Sequence, residues 1–421
     1  MKLIVYPASL GIGGSQLNAI ELAGAVAARG HDVSIFGPDG PLRETVETLG
    51  LPFTAAPERP KVRPSPKVIG ALLADVRARR AELVHGYEWP PILEALYGPY
   101  VRRGTAVVGT VMSMGVAPFI PRRLDLIVGT EQIARAERER RTRTHLLEPP
   151  VDTEENRPLA DNTAARAELG ATSDTFLVVV VSRLAHELKR EGILEAIEAA
   201  GRMAADLPLL VAIVGDGPAR DEIEQAAAQV NARCGRTVVR LTGALDDPRP
   251  AYAAADITFG MGSSALRGMA FAKPLVVQGE NGFWELLTPD TEPIFLDQGW
   301  YGIGDGRDGS GRFETIVRDL YRDPAEQRRL GDYARRLVVD RFSLHRAADR
   351  QEQLYREALA RPASRLTAVP SFAVPAAQVV EYQIRRRWAR YRGTGSADDF
   401  NALAKQAAVA RHRTHEGHTT S

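Results

Sequence analysis

The sequence predicts an α/β fold of two doubly wound, Rossmann-like domains, on three observations. Short apolar runs alternate with amphipathic segments from Leu3 to Leu146, and again from Phe176 to Val277. The run from Phe176 to Val181, FLVVVV, is continuously apolar, as a central parallel strand buried on both faces must be. At 421 residues the chain is also long enough for two cores, since single cores stop growing near roughly 250–300 residues.

In order, Leu3 to Tyr6 reads as the first strand and Ala8 to Gly14 as a glycine-containing loop. Ser15 to Arg29 reads as a helix N-capped by Ser15, with Leu17, Ile20, Glu21 and Gly24 along one side. Strand Val33 to Phe36, helix Pro41 to Leu49 and strand Pro52 to Ala55 follow. Four prolines between Pro57 and Pro66 predict an exposed loop. Helix Lys67 to Arg80, strand Leu83 to His85, a helix after Pro91, and strands Ala106 to Val111 and Leu124 to Val128 continue the series. Helix Glu131 to Arg141 and a short strand around Leu146 close it. Strands alternating with helices at this spacing mean a parallel sheet covered on both faces.

Residues 1–150 are therefore expected to form the first domain and 151–161 a linker. Residues 162–342 would form the second domain, built on strand Phe176 to Val181, helix Glu191 to Ala205, strand Leu209 to Val214, helix Ala219 to Ala232 and strand Val238 to Leu241. Its central stretch runs from Asp256 to Glu285. Ala255 to Phe259 is a short buried strand, Gly260 to Ser264 a small-residue turn, and Ala265 to Ala272 a helix with Leu266, Met269 and Ala270 inward. Lys273-Pro274 stops that helix before strand Leu275 to Val277. A strand, a glycine turn and a helix N-terminus aim N–H groups and a positive dipole at one point, which suits phosphate; the same glycines also simply make a tight turn. Ligands in such sheets bind beyond the strand C-termini, so the cleft between domains is the expected site. Pro324 to Arg341 and Ser343 to Ala360 read as helices.

Bulk properties exclude several classes. The net charge of +1 gives no global field toward nucleic acid. The single cysteine, Cys234, rules out an internal disulfide framework and a cysteine-built zinc site. No window approaches the roughly 20 apolar residues of a membrane span, and the run after Met1 is too short for a signal peptide core, so a cytoplasmic location is expected. Beyond Arg361 the chain changes character: residues 362–421 form a basic tail, with five arginines between Arg385 and Arg392 and a stretch from His412 to Ser421 of disordered composition. Arginines interleaved with Trp388 and Tyr391 suit nucleic acid, anionic lipid, or an amphipathic helix lying on the protein or on a second copy in a homo-oligomer.

Taken together, these elements resemble the retaining GT-B glycosyltransferases of the family-4 type over about residues 1 to 360. Gly11-Ile-Gly-Gly-Ser-Gln16, with Gly13 and Gly14, looks like the first-strand loop facing donor diphosphate and acceptor. Ser182-Arg183-Leu184 followed by Lys189 looks like the Arg and Lys pair on the donor phosphates, the pair that carries catalysis by resemblance. Val214-Gly-Asp-Gly-Pro218, with Gly215 and Gly217, and Leu241 to Leu245 resemble two loops near the nucleotide base. Gly262, Ser263, Ser264 and the helix Ala265 to Ala272 match the final nucleotide-binding turn, with Glu285 in the following loop, and Pro149 to Asp152 resembles the interdomain signature. The helix from Ser343 to about residue 361 would cross back onto the N-terminal domain. The resemblance implies an acceptor domain first, a nucleotide-sugar domain second, no cofactor beyond the nucleotide-diphosphate sugar as co-substrate, and a small-molecule acceptor.

Physical chemistry explains the fit. A nucleoside diphosphate leaves as the sugar turns oxocarbenium-like, so negative charge grows on the bridging oxygen. Arg183 offers a planar fork and Lys189 a mobile point charge. The chain holds no Asp-x-Asp, so no metal-held diphosphate site of that style is indicated. Two departures from the family stand out. Arg267 occupies the position of the second Glu of a Glu-x7-Glu pair, and a guanidinium cannot accept hydrogen bonds from a ribose diol. Ribose recognition would pass to Glu280, or Arg267 would take a phosphate oxygen, or the donor site would be lost. Many relatives carry a His where Met112 and Ser113 stand, and neither can do acid–base work at pH 7. His85, Glu88 and Trp89, after the fourth strand, sit at the sheet end where an acceptor would bind, alongside Gln16; a lone His and a loop Glu more often serve structure than catalysis, and Trp89 could stack on an acceptor or belong to the core. The alternatives to a soluble glycosyltransferase are a catalytically silent GT-B scaffold and a pseudo-glycosyltransferase making a non-glycosidic bond.

Overall fold

A computed structural model of the chain describes residues 1–57, 63–361, 378–388 and 391–392. Part of the proline-rich loop and the stretch from His412 to Ser421 lie outside the described residues. The chain divides into two compact units. One is Met1–Glu148 together with the chain from Leu344 onward, and the other is Pro149–Ser343.

In the first lobe the described residues form seven parallel strands in the order β3-β2-β1-β4-β5-β6-β7. They are β1 Lys2–Tyr6, β2 Asp32–Gly37, β3 Phe53–Ala55, β4 Leu83–Tyr87, β5 Ala106–Val111, β6 Asp125–Val128 and β7 Thr144–Leu146. All five residues of β4 and four of five in β1 are buried, because helices cover both faces. The helix Gly14–Ala27 covers one of them through Ala19, Ile20, Leu22, Ala23 and Val26. Of the residues placed along one side of this helix, Ile20 is buried and Leu17, Glu21 and Gly24 are half-buried. Ser15 is not its N-cap: Gly13 holds that place in extended conformation, and the Ser15 hydroxyl is drawn to Glu88 instead. The terminal helix Leu344–Leu359 joins the same cluster through Ala347, Ala348, Leu354, Tyr355 and Ala358. Burying Leu354 and Tyr355 there is worth about 1.5–3 kcal/mol each, which holds the terminal helix on the first lobe.

In the second lobe the order is β10-β9-β8-β11-β12-β13, from β8 Phe176–Val181, β9 Leu209–Val214, β10 Val239–Gly243, β11 Ile257–Gly260, β12 Leu275–Gln278 and β13 Trp284–Leu286. The sheet is not wholly parallel as expected, since β13 pairs antiparallel to β12 at the edge. Gly282 permits that reversal: its φ of +70° carries the chain round, and a Cβ there would stand 2.4 Å from the Arg307 carbonyl oxygen. Helices Thr163–Glu168, Arg249–Ala254, Glu292–Gln298 and Gly309–Arg322 were also not anticipated. The first three span seven residues or fewer, too short for a periodic signal. The helix Ser263–Ala270 does bury Leu266, Met269 and Ala270, as its spacing predicts.

Strand order reverses beside β1 and β4 in one sheet, and beside β8 and β11 in the other. Such switch points open the loops at the strand C-termini and make them the default ligand positions of each lobe.

Candidate active site

In the first lobe the switch point gathers three chain segments around one carboxylate. Glu88 follows β4 with a φ of +67°, a left-handed conformation that costs a non-glycine residue free energy and marks a constrained position. Its Oε1 accepts from the Ser15 hydroxyl at 3.2 Å and the Met112 backbone N–H at 3.0 Å. Its Oε2 accepts from the Ser113 hydroxyl at 2.7 Å. Glu88, Met112 and Ser113 are thus brought together with the first turn of the helix Gly14–Ala27. Gln16 and Gly13 share that turn, because a Cβ on Gly13 would lie 2.5 Å from Gln16 Oε1. Ser15 belongs to the Gly11–Gln16 loop that sequence places at the site, and its hydroxyl serves Glu88 rather than the helix cap.

His85 and Trp89 are corrected. His85 is fully buried, with Nδ1 2.7 Å from the Tyr355 hydroxyl and Nε2 2.7 Å from Thr110 Oγ1. Burial brings its imidazole down to about 3, so the ring is neutral and acts as a strut between β4 and the terminal helix. Both nitrogens are committed, which leaves none for an acceptor. Trp89 packs edge-on against Phe119 at 5.3 Å and Tyr382 at 5.9 Å, in the apolar cluster on the other side of the sheet from the terminal helix. Both residues lie at the strand end that sequence identifies, yet the alternation along β4 turns the His85 ring inward.

In the second lobe the site is cationic. Arg183 is exposed after β8. Lys189 is half-buried, preceded by Leu188 at a φ of +65°, and stands at the N-terminal end of the helix Arg190–Met203. Its amino group reaches across to the Met261 carbonyl oxygen at 3.5 Å, which unites it with the turn that leads into Ser263–Ala270. Enclosure by the surrounding loops pulls that amine down to about 7. In the turn, Gly262 takes a φ of +59°, its N–H donates to the Trp300 carbonyl, and no side chain caps the helix it begins. Ser263 and Ser264 form the first turn, with the Ser264 hydroxyl donating back to the Met261 carbonyl at 3.2 Å.

Gly215 and Gly217 have a tighter reason to be glycine than ligand access. Cβ atoms there would lie 1.9 Å from the Ser182 carbonyl and 2.5 Å from the Leu184 carbonyl, with φ at +143° and +157°. They let the loop after β9 pack directly on the loop that carries Arg183. Leu245 is exposed beyond β10. Arg267 lies in the last turn of Ser263–Ala270, close enough to Tyr252 for its charge to oppose the upward push that burial gives that phenol. Glu280 does not stand open for a ribose: it is buried, and Oε2 accepts from the Tyr301 hydroxyl at 2.7 Å. Sequence reading missed Gln278, fully buried at the end of β12, whose amide has no hydrogen-bond partner among the described residues. It faces Gly192 in the first turn of Arg190–Met203, and a lone Gln closing the apolar run Leu-Val-Val was the available signal. Among the described residues no three His, Cys, Asp or Glu side chains converge as a set able to hold a metal ion.

Comparison with known proteins bears on the fold of both lobes. A Glycosyltransferase Family 4 model matches residues 12–155, and a model for glycosyl transferases group 1 matches residues 175–299. Anabaena HepE in complex with UDP superposes with a TM-score of 0.68 at 15% identity, covering 85% of this chain and all of that one. Sucrose-phosphate synthase from Thermosynechococcus elongatus gives 0.66 at 20% identity, covering 86% and 100%. The fold is GT-B, and each lobe matches a glycosyltransferase family. The alpha-D-kanosaminyltransferase of Streptomyces kanamyceticus is 28% identical over 217 residues, 47% of this GT-B chain. The chain spans half the length of that curated relative.

Proposed function

We propose that this GT-B chain is a glycosyltransferase that moves a hexose-like sugar from a nucleoside-diphosphate donor to a small acceptor. The observation that carries the reading is the meeting of Lys189 with the Met261–Gly262 turn at the switch point of the second lobe, next to the exposed Arg183. The family matches on both lobes and the UDP-bound structure of similar fold support it.

In this reading the diphosphate lies against the N-terminal turn of Ser263–Ala270. Arg183 takes phosphate oxygens by its planar fork, and Lys189 neutralises the charge that grows as the glycosidic bond breaks. Fixed cations and helix N-termini then serve where other transferases hold a metal ion. The first lobe receives the acceptor near Glu88, Ser113 and Gln16. Retention of the anomeric configuration follows if the departing phosphate itself takes the acceptor proton, and three features favour that route: His85 is sealed and neutral, neither Met112 nor Ser113 can act as a base, and both Glu88 oxygens already accept hydrogen bonds. Arg267 serves the donor phosphates rather than the ribose.

Titrating the purified chain with UDP, GDP and dTDP tests the reading. At least one should bind, and Arg183→Ala and Lys189→Ala should each lower turnover by about 100-fold or more. If no nucleotide binds, the chain is a silent GT-B scaffold. A product without a glycosidic bond would identify a pseudo-glycosyltransferase instead.

A further inference from the structure

The helix 378–388 docks on the first lobe by one side only. Val379 is buried, Tyr382 packs against Phe119 at 5.4 Å and Trp89 at 5.9 Å, and the Gln383 amide donates to the Arg63 carbonyl. On the other side Val380, Ile384 and Trp388 recur at intervals of four, so they form one stripe along the helix. They are 58%, 54% and 58% exposed, and Tyr391 just beyond is 90% exposed. These are four of the five most exposed large hydrophobic residues among those described, gathered within twelve positions. A docked helix has no packing reason to show water such a stripe.

Its flanks are cationic. Arg385, Arg387 and Arg392 are exposed, against one exposed carboxylate, Glu381, which pairs with Arg385 at 2.6 Å. The Arg392 guanidinium lies 5.3 Å from the centre of the Trp388 ring, so charge and aromatic surface come as one unit. No described helix is long and apolar enough to cross a membrane, so contact with lipid would be in the plane of the surface.

We propose that this face seats the protein on an anionic lipid bilayer, the Val380–Ile384–Trp388 stripe entering the headgroup region and the three arginines meeting lipid phosphates. The composition matches what such an interface takes: aliphatic residues on one line, Trp and Tyr at the headgroup level, and Arg beside them. Charge complementarity selects the occupant. A second copy would bring the same arginines face to face across a two-fold axis, whereas an anionic surface is attracted by all of them. Each arginine near such a surface raises affinity about five-fold at moderate salt, so Arg385 and Arg387 together contribute about 25-fold. The proposal is independent of the reaction catalysed, because it concerns only where the first lobe rests.

The test is flotation of the full chain with vesicles of phosphatidylcholine alone, or of phosphatidylcholine and phosphatidylglycerol in equal parts. Binding is expected to the anionic vesicles only, and to fall at about 1 M salt, where the screening length shrinks to about 3 Å. Arg385→Gln with Arg387→Gln should weaken it about 25-fold, and Ile384→Glu with Trp388→Glu should abolish it. All four changes point outward, so unchanged melting and nucleotide affinity serve as folding controls. Absence of wild-type binding, or binding that survives both double substitutions, overturns the proposal. So does a dimer that Ile384→Glu with Trp388→Glu dissociates while vesicles bind neither form, since the stripe would then belong to a second copy.

Discussion

Donor affinity should depend on pH through Lys189. The amine sits enclosed beside the Met261 carbonyl and titrates near 7 in the free protein, so about half the molecules lack its charge at neutral pH. A bound diphosphate supplies the counter-charge and returns the amine to its ordinary range near 10.5. The bound state therefore holds more protons than the free state between these limits, and affinity must fall as pH rises above 7. With a free-state value of about 7, affinity drops about 25-fold between pH 6.5 and 8.5, approaching ten-fold per unit. The ligand adds no slope there, because the last ionisation of a phosphate lies near 6. Calorimetric titration of UDP, or of whichever nucleotide binds best, in buffers of different ionisation enthalpy reads the coupling directly. Uptake of about 0.5 proton is expected at pH 7 and about 0.9 at pH 8. Lys189→Met, which keeps the apolar stem, should bind more weakly at pH 6.5 and lose the slope. A flat wild-type profile, or an equal slope in Lys189→Met, would refute the placement of this amine on the phosphates.

Four further outcomes follow. His85, held near 3 by burial, is neutral in the folded protein while the unfolded chain protonates near 6.5; stability contributed above 6.5 is thus lost as pH falls toward 3. The stability gap between wild type and His85→Gln, measured by urea unfolding, should narrow by about 2 kcal/mol from pH 7 to pH 5; a constant gap would contradict it. Glu88→Gln replaces one accepting oxygen by an amide N–H₂ that faces at least one of the three donors, and should cost about 1–3 kcal/mol in thermal unfolding and raise the acceptor KM; a wild-type KM would remove the acceptor from this lobe position. Gly215→Ala drives a Cβ into the Ser182 carbonyl and should destabilise by about 2 kcal/mol or more, displacing Arg183 with it; unchanged melting would show that the loop yields freely. Arg267→Glu should weaken donor binding by about ten-fold or more if the guanidinium serves phosphate, and unchanged affinity would take Arg267 out of that role.

Much of the architecture is legible in the chain because parallel strands buried on both faces are written as apolar runs. Ala106–Val111, Phe176–Val181 and Leu209–Val214 coincide with their expected limits for that reason. The antiparallel β13 escaped because three residues carry no period and its pairing depends on Gly282, whose φ no local pattern specifies. At the sites, sequence finds the strand ends but not the direction of each side chain. Glu88 and His85 stand three residues apart; one ties three loops together, while the other is locked between Tyr355 and Thr110, residues 270 and 25 positions away. Gln278 was passed over because an isolated Gln shows its meaning only once burial leaves its amide without a partner.

The six strands of the second lobe follow the order of the first six of the first lobe, with opposite charges at the reversal. Each lobe places its functional groups at the C-terminal ends of the strands flanking its order reversal. In the first lobe the centre is the Glu88 carboxylate, which accepts from Ser15, Met112 and Ser113. In the second it is Arg183 and Lys189, beside a glycine-led helix N-terminus. A phosphate charge about 6 Å from a unit charge, at an effective dielectric constant of about 20, interacts by about 3 kcal/mol, repulsive at the first site and attractive at the second. The difference between the lobes is therefore about 6 kcal/mol for each such pairing, more than sugar hydroxyl contacts of about 1 kcal/mol each can offset. Neutral or cationic acceptors face no such penalty beside Glu88. In the proposed reading, charge alone thus divides the labour between two lobes of like strand order, with the nucleoside diphosphate on the second.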